Sequence, residues 1–251
     1  MKRIMLITAA AIMVLMMSAC SREGFKESLE RNKDSSSGGT QTQQQSKPQA
    51  DPEEFIFDLD TDEYEKEGCF YYYALPRPAS EAAESSADII ADELSEIVES
   101  LPEQIAAGRE FESISIYDAI TQNNGKLFSV MYEIEISLKD ETEESYALGL
   151  VFDPTTGERI ELDELKDADT FVTLILDEQL SKIPGKKEDV KAKKREYLSE
   201  QGDKKLKERL LETDGLEQLL DASYYVDGDE LVALIAADQQ LGGVIEVSVD
   251  I

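Results

Sequence analysis

Eleven residues in the middle of the chain do most to limit its possible folds. Phe128, Val130, Tyr132, Ile134, Ile136 and Leu138 alternate with Ser129, Met131, Glu133, Glu135 and Ser137. Successive side chains of a strand point to opposite faces, so this period of two specifies a strand with one face in a core. Asn123-Asn124-Gly125 just before it suits a tight hairpin turn, which pairs it with a strand beginning at Ile114 and Ile116. A third strand carries Tyr146, Leu148, Leu150 and Phe152 on one face and stops at Asp153-Pro154-Thr155-Thr156-Gly157, a turn sequence.

Helices are expected around these strands. Ala83, Ala87, Ile90, Leu94, Ile97 and Leu101 recur at steps of four and three, which puts them on one helical face, with Pro102 as the expected end. Phe171, Leu174, Ile175, Leu180 and Ile183 suggest another helix, ended by Pro184-Gly185. Residues 186–221 are charged and helical in composition. Upstream, Phe70 to Leu75 reads as a short aromatic strand stopped by Pro76 and Pro78. The C-terminal part returns to strands: Tyr224-Tyr225-Val226, the Asp227-Gly228 turn, Leu231 to Ile235, and a final run in which Ile245, Val247, Val249 and Ile251 face one way. The expected class is α+β, an antiparallel sheet with helices packed mainly on one face.

This domain occupies residues 55–251, and what precedes it differs in kind. Lys2 and Arg3 are followed by an apolar run from Ile4 to Met17, too short for a comfortable membrane span. Met16-Met17-Ser18-Ala19-Cys20 then resembles the bacterial lipobox, with Met17 where leucine is more usual. Residues 1–19 are therefore expected to be a lipoprotein signal peptide, and Cys20 the lipidated first residue of the mature chain. Two or more acyl chains give stable anchoring. Residues 20–54 are rich in serine, glycine and glutamine and poor in apolar residues, and read as a tether with a reach of roughly 30–35 Å. The expected location is the extracytoplasmic face of the cell membrane.

Removing residues 1–19 leaves 23 basic and 55 acidic residues, a net charge of −32. Such a surface disfavours nucleic acid and steers cationic partners inward. Between Lys182 and Arg209 the balance reverses, with 11 bases against six acids. That segment suits either anionic polymer or lipid, or a solvated helical face paired with the acidic remainder.

The chemistry available is narrow. The chain has no histidine, so imidazole-based triads and zinc sites are excluded. Its two cysteines are Cys20 and Cys69, and the second reads as a small buried residue. Asp58, Asp60 and Asp62 are spaced like the start of a calcium loop, but Glu63 and Cys69 stand where that loop needs glycine and glutamate. No catalytic, cofactor or metal residue is expected.

The stretch Leu150-Val151-Phe152-Asp153-Pro154-Thr155-Thr156-Gly157, continuing to Leu162-Asp163-Glu164-Leu165, resembles a family of extracytoplasmic domains. Tyr224 to Val232 and Leu241 to Val247 are similar to that family's closing strands. Relatives include the outer part of lysozyme-sensing anti-sigma-V factors and an accessory domain of some peptidoglycan deacetylases. The resemblance implies an α+β envelope domain that binds something, lysozyme in the anti-sigma relatives. The chain shows neither a transmembrane helix with a sigma-binding segment nor a deacetylase domain. The expectation is a free-standing, non-enzymatic binding lipoprotein recognising a cationic protein such as lysozyme, or peptidoglycan. The alternatives are a carboxylate-dependent enzyme on wall polymer and a structural or chaperone-like lipoprotein.

Overall fold

The computed structural model describes residues 56–185 and 187–251. The expected signal peptide, Cys20 and the tether lie outside the described residues. The α+β class is as expected, with nine strands distributed over two sheets. The first sheet has the order β1 (Phe57–Lys66), β2 (Cys69–Pro78), β3 (Phe111–Asn123), β4 (Phe128–Leu138), β5 (Glu143–Phe152). Helix α1 (Glu84–Ala106) connects β2 to β3, which makes that pair parallel and the others antiparallel. Short α2 (Leu162–Leu165) and α3 (Ala168–Leu176) lead into β6 (Ser181–Lys182). Then come α4 (Glu188–Leu211), α5 (Leu216–Asp221), β7 (Ala222–Asp227), β8 (Glu230–Ala236) and β9 (Val244–Asp250). The second sheet has the order β6-β9-β8-β7.

Each sheet buries one face under helices. Ile90, Leu94, Val98 and Leu101 of α1 cover Ile114, Ile116, Val130, Tyr132, Ile134, Leu148 and Leu150. Phe171 and Ile175 of α3, with Leu198, Leu206 and Leu210 of α4, cover Tyr224, Val226, Leu231, Ala233, Ile245 and Val247. The opposite faces meet along β7 through small and polar groups. The Val226 N–H donates to Ser129 Oγ (2.9 Å), Thr121 Oγ1 donates to the Val226 carbonyl (2.6 Å), and the Gly149 N–H donates to Ser223 Oγ (3.0 Å). Gly149 is required by this approach, since a Cβ there would lie 2.6 Å from the Tyr224 carbonyl oxygen.

Several sequence-based boundaries shift. Residues 57–66 form a strand, although half of them are acidic; its exposure on an edge removes the need for an apolar face. β2 runs through Pro76 and Pro78 because its ladder with β3 ends at Tyr72–Tyr117. The Ala74 N–H faces β3 and is taken by Asp118 Oδ2 (2.8 Å). Pro76 and Pro78 share the parity of Ala74, so their missing N–H groups would have met no ladder. α1 passes Pro102 because Ile105 and Ala106 remain buried, and it ends in the left-handed Ala107 and Gly108. The expected helix over 171–183 ends at Leu176; Leu180 is exposed and Ser181–Lys182 joins the second sheet. The tight asparagine-glycine turn is a longer loop, pinned by Asn124 Oδ1 accepting from the N–H groups of Lys126 and Leu127.

A candidate acid-flanked aromatic face

The side of the first sheet that faces away from α1 is half covered by the second sheet, over β4 and β5. Over β1, β2 and the first half of β3 it is open among the described residues, whereas Thr121 and Gln122 near the end of β3 reach the second sheet. Register alone sets what stands on it. One row across the sheet reads Glu63, Tyr72, Tyr117, Glu133 and Ala147, and the next reads Glu65, Phe70, Ser115, Glu135 and Ser145. Phe70 and Tyr72 are each 44% exposed, as is Leu59 nearby on the same face. Aromatic side chains thus stand between two carboxylates in one row and between two in the next, with no base in either.

Alternation explains the arrangement. Cys69, Tyr71, Tyr73 and Leu75 are buried under α1, so Phe70 and Tyr72 must face outward. On β4, burial of Tyr132, Ile134 and Ile136 likewise turns Glu133 and Glu135 to the side of the sheet away from α1. Glu133 stands where the two sheets meet. Burial, then the charges of Glu135 and Glu246, push its carboxyl up to about 7. Tyr225 completes the wall there, donating its hydroxyl to Glu246 Oε1 at 3.2 Å. The phenol is held well above its ordinary range, by burial first and then by Glu246.

Asp118 is a second carboxylate displaced upward, to about 6, because it is buried. It lies on the α1 side of the sheet, whereas Glu133 lies on the opposite side, so the two cannot flank one substrate bond. Beside Asp118 in register is Tyr132, whose buried hydroxyl has no hydrogen-bond partner among the described residues. A more open groove of about 580 Å³ runs between α1 and the start of α5, lined by Asp92, Glu93, Glu96, Ile97, Arg159 and Asp214. Arg159 is tied down there by Glu93 and by the Thr213 carbonyl (3.3 Å).

The residues singled out in the sequence fall elsewhere. Asp58, Asp60 and Asp62 are spread along β1, and among the described residues no group of three acidic or cysteine side chains could hold a metal ion. Cys69 is buried, and burial raises its thiol above the ordinary value. The basic stretch runs from β6 into α4 and engages acids of other elements: Lys207 with Asp169 (2.6 Å), Arg209 with Asp221 (2.7 Å), and Lys182 of β6 with Glu230 and Asp250. Asp153 to Gly157 is structural. Asp153 Oδ1 accepts from the Thr155 N–H and hydroxyl, and Gly157, at φ +78°, lies against Ser86 and Ile89 where a Cβ would clash. The aromatic face itself was not singled out in the sequence; its one signal was the alternation of Phe70 and Tyr72 with Tyr71 and Tyr73.

Among the described residues no helix is long and apolar enough to cross a membrane. No family model matches the chain, and no curated protein matches it. Among solved structures it is similar to a DUF3298 family protein from Pseudomonas aeruginosa, a domain family of unknown function. The TM-score is 0.39 and the identity 9%, over 75% of this chain and 93% of that one.

Proposed function

We propose that this chain is a lipid-anchored, extracytoplasmic binding module that presents the acid-flanked aromatic face to a cationic protein of the cell envelope. The carrying observation is the row Glu63, Tyr72, Tyr117, Glu133, repeated by Glu65, Phe70, Ser115, Glu135, with no base in either. Exposed ring faces attract lysine and arginine heads, and flanking carboxylates add attraction and orient them. The export signal and the lipobox-like Cys20 support the location, and the resemblance to lysozyme-sensing domains makes lysozyme the first ligand to try.

The test is calorimetric titration of the soluble chain from Ser21 with lysozyme, beside an equally basic unrelated protein. Measurements run from physiological salt to about 0.5 M, where the Debye length falls to roughly 4 Å. A specific site keeps affinity for lysozyme alone at high salt, and Tyr72→Ala weakens it by about tenfold or more, as expected for an anchoring aromatic. Equal binding of both proteins, lost together with salt, would leave the surface merely solubilising. One observation favours a second reading, a carboxylate-dependent hydrolase: Glu133 keeps its proton to about pH 7 beside Glu135. Release of reducing ends from peptidoglycan, abolished in Glu133→Gln, would establish it.

A further inference from the structure

Among the described residues four strands stand at the outside of a sheet, and three of them are too short or too far occupied to take a partner. β6 has two residues only. On β7, Val226 is satisfied on both its N–H and its carbonyl by Ser129 and Thr121, and Gln122 reaches the Gly228 carbonyl just beyond the strand. On β5, Ser145 is paired by Gln239, Gly149 by Ser223, and Val151 by the Ile160 N–H. β1 is different. It runs ten residues in unbroken register with β2 and, among the described residues, has no ladder on its other side.

Parity identifies the groups that face out. The N–H groups of even-numbered β2 residues point toward β3, as Ala74 shows, so its odd-numbered residues bond to β1. Their register partners are Asp58, Asp60, Asp62, Tyr64 and Lys66. Leu59, Thr61, Glu63 and Glu65 therefore turn their backbone groups outward. Among the described residues nothing bonds to those groups, whereas Phe57, at the start of the strand, is closed off by Asn123.

We propose that the outer edge of β1 accepts an extended cationic peptide segment, with lysine or arginine at alternate positions, as an added strand of the first sheet. Charge selects the occupant. Asp58, Asp60 and Asp62 stand in line on one face of β1, and Arg77 engages only Asp60, at 3.2 Å with both side chains at least half exposed. Across an added strand, opposed side chains lie about 4.5–5.5 Å apart at Cβ, so a lysine at every second residue would meet each aspartate in turn. The intervening positions would meet Leu59 and Thr61 and continue the aromatic face. The inference deepens the binding-module reading, on which it rests, by naming how a partner docks.

The probe is a short peptide of alternating lysine and threonine, added to the soluble chain from Ser21. Hydrogen exchange should show the amides of Leu59, Thr61, Glu63 and Glu65 slowed about tenfold or more on binding, with their even-numbered neighbours unchanged. Thr61→Pro removes one outward N–H without touching the β2 ladder and should weaken the peptide about tenfold while circular dichroism is retained. Should that variant not fold, the triple change of Asp58, Asp60 and Asp62 to asparagine should also weaken it about tenfold, as lost cross-strand ion pairs would. Binding without protection of those four amides, or no binding at low salt, overturns the proposal. Lysozyme affinity that survives salt under either outcome leaves the wider reading intact.

Discussion

Removing the charge of Glu133 should stabilise the protein, and only above mildly acidic pH. The side chain is held where the sheets meet, and its carboxyl is pushed from the ordinary 4.5 to about 7, mainly by burial and then by Glu135 and Glu246. A displacement of that size corresponds to about 3 kcal/mol, which residual exposure to water reduces to about 2. The folded state holds the proton more tightly than the unfolded chain. Below pH 4.5 both states are protonated and the side chain costs nothing. Between 4.5 and about 7 the unfolded chain ionises first, so stability falls as pH rises, and above 7 the full cost is paid.

Glu133→Gln keeps the shape and removes the titration. At pH 8 the variant should be about 2 kcal/mol more stable than the parent, raising Tm by about 4–8 °C for a chain of this size; at pH 4 the two should coincide. Urea melts at a series of pH values provide the comparison. Asp118, displaced in the same direction, leaves a residual slope in both proteins. A variant with the parent's pH profile, or one less stable at pH 8, would refute the assignment of Glu133 as a desolvated carboxylate.

Gly149→Ala places a methyl group 2.6 Å from the Tyr224 carbonyl oxygen and should cost about 2–3 kcal/mol in the same melts, since the sheets must part to admit it. Tyr132→Phe deletes a buried hydroxyl with no partner among the described residues, so stability should be unchanged or higher by about 1 kcal/mol. Cys20→Ala should abolish metabolic acyl labelling, because the proposed anchor is a thioether on that residue; labelling that persists removes the lipoprotein reading.

The strands with one apolar face were legible because burial writes itself as alternation: Phe128 to Leu138 and Ile245 to Val249 are strands with the buried residues expected. β1 was not, since a strand at an exposed edge needs no apolar face and its acids read as a solvated entry. The division into two sheets was also hidden. The residues that join them, Thr121, Ser129, Gly149 and Ser223, are small or polar, and their pattern does not differ from that of a solvent-facing side. The extent of α1 is not legible at Pro102, where burial of Ile105 outweighs the loss of one helical hydrogen bond. The aromatic face is hidden in the sequence for a related reason. It arises from register between three separate strands, and register is a property of pairs that no single segment displays.

The parallel join between β2 and β3 sets an order of assembly. β3, β4 and β5 are linked by short connections and can zip together from local contacts, whereas β2 reaches β3 only after α1 has crossed the sheet. Closing that long loop costs chain entropy before any contact offsets it. The β1–β2 hairpin is held to the remainder by four register pairs, by the bonds from Ala74 to Asp118 and between Phe57 and Asn123, and by Phe57, Cys69, Tyr71, Tyr73 and Leu75 in the core beneath α1. Its docking therefore comes late in assembly, after α1 is in place, and it is this docking that closes the core between α1 and the sheet.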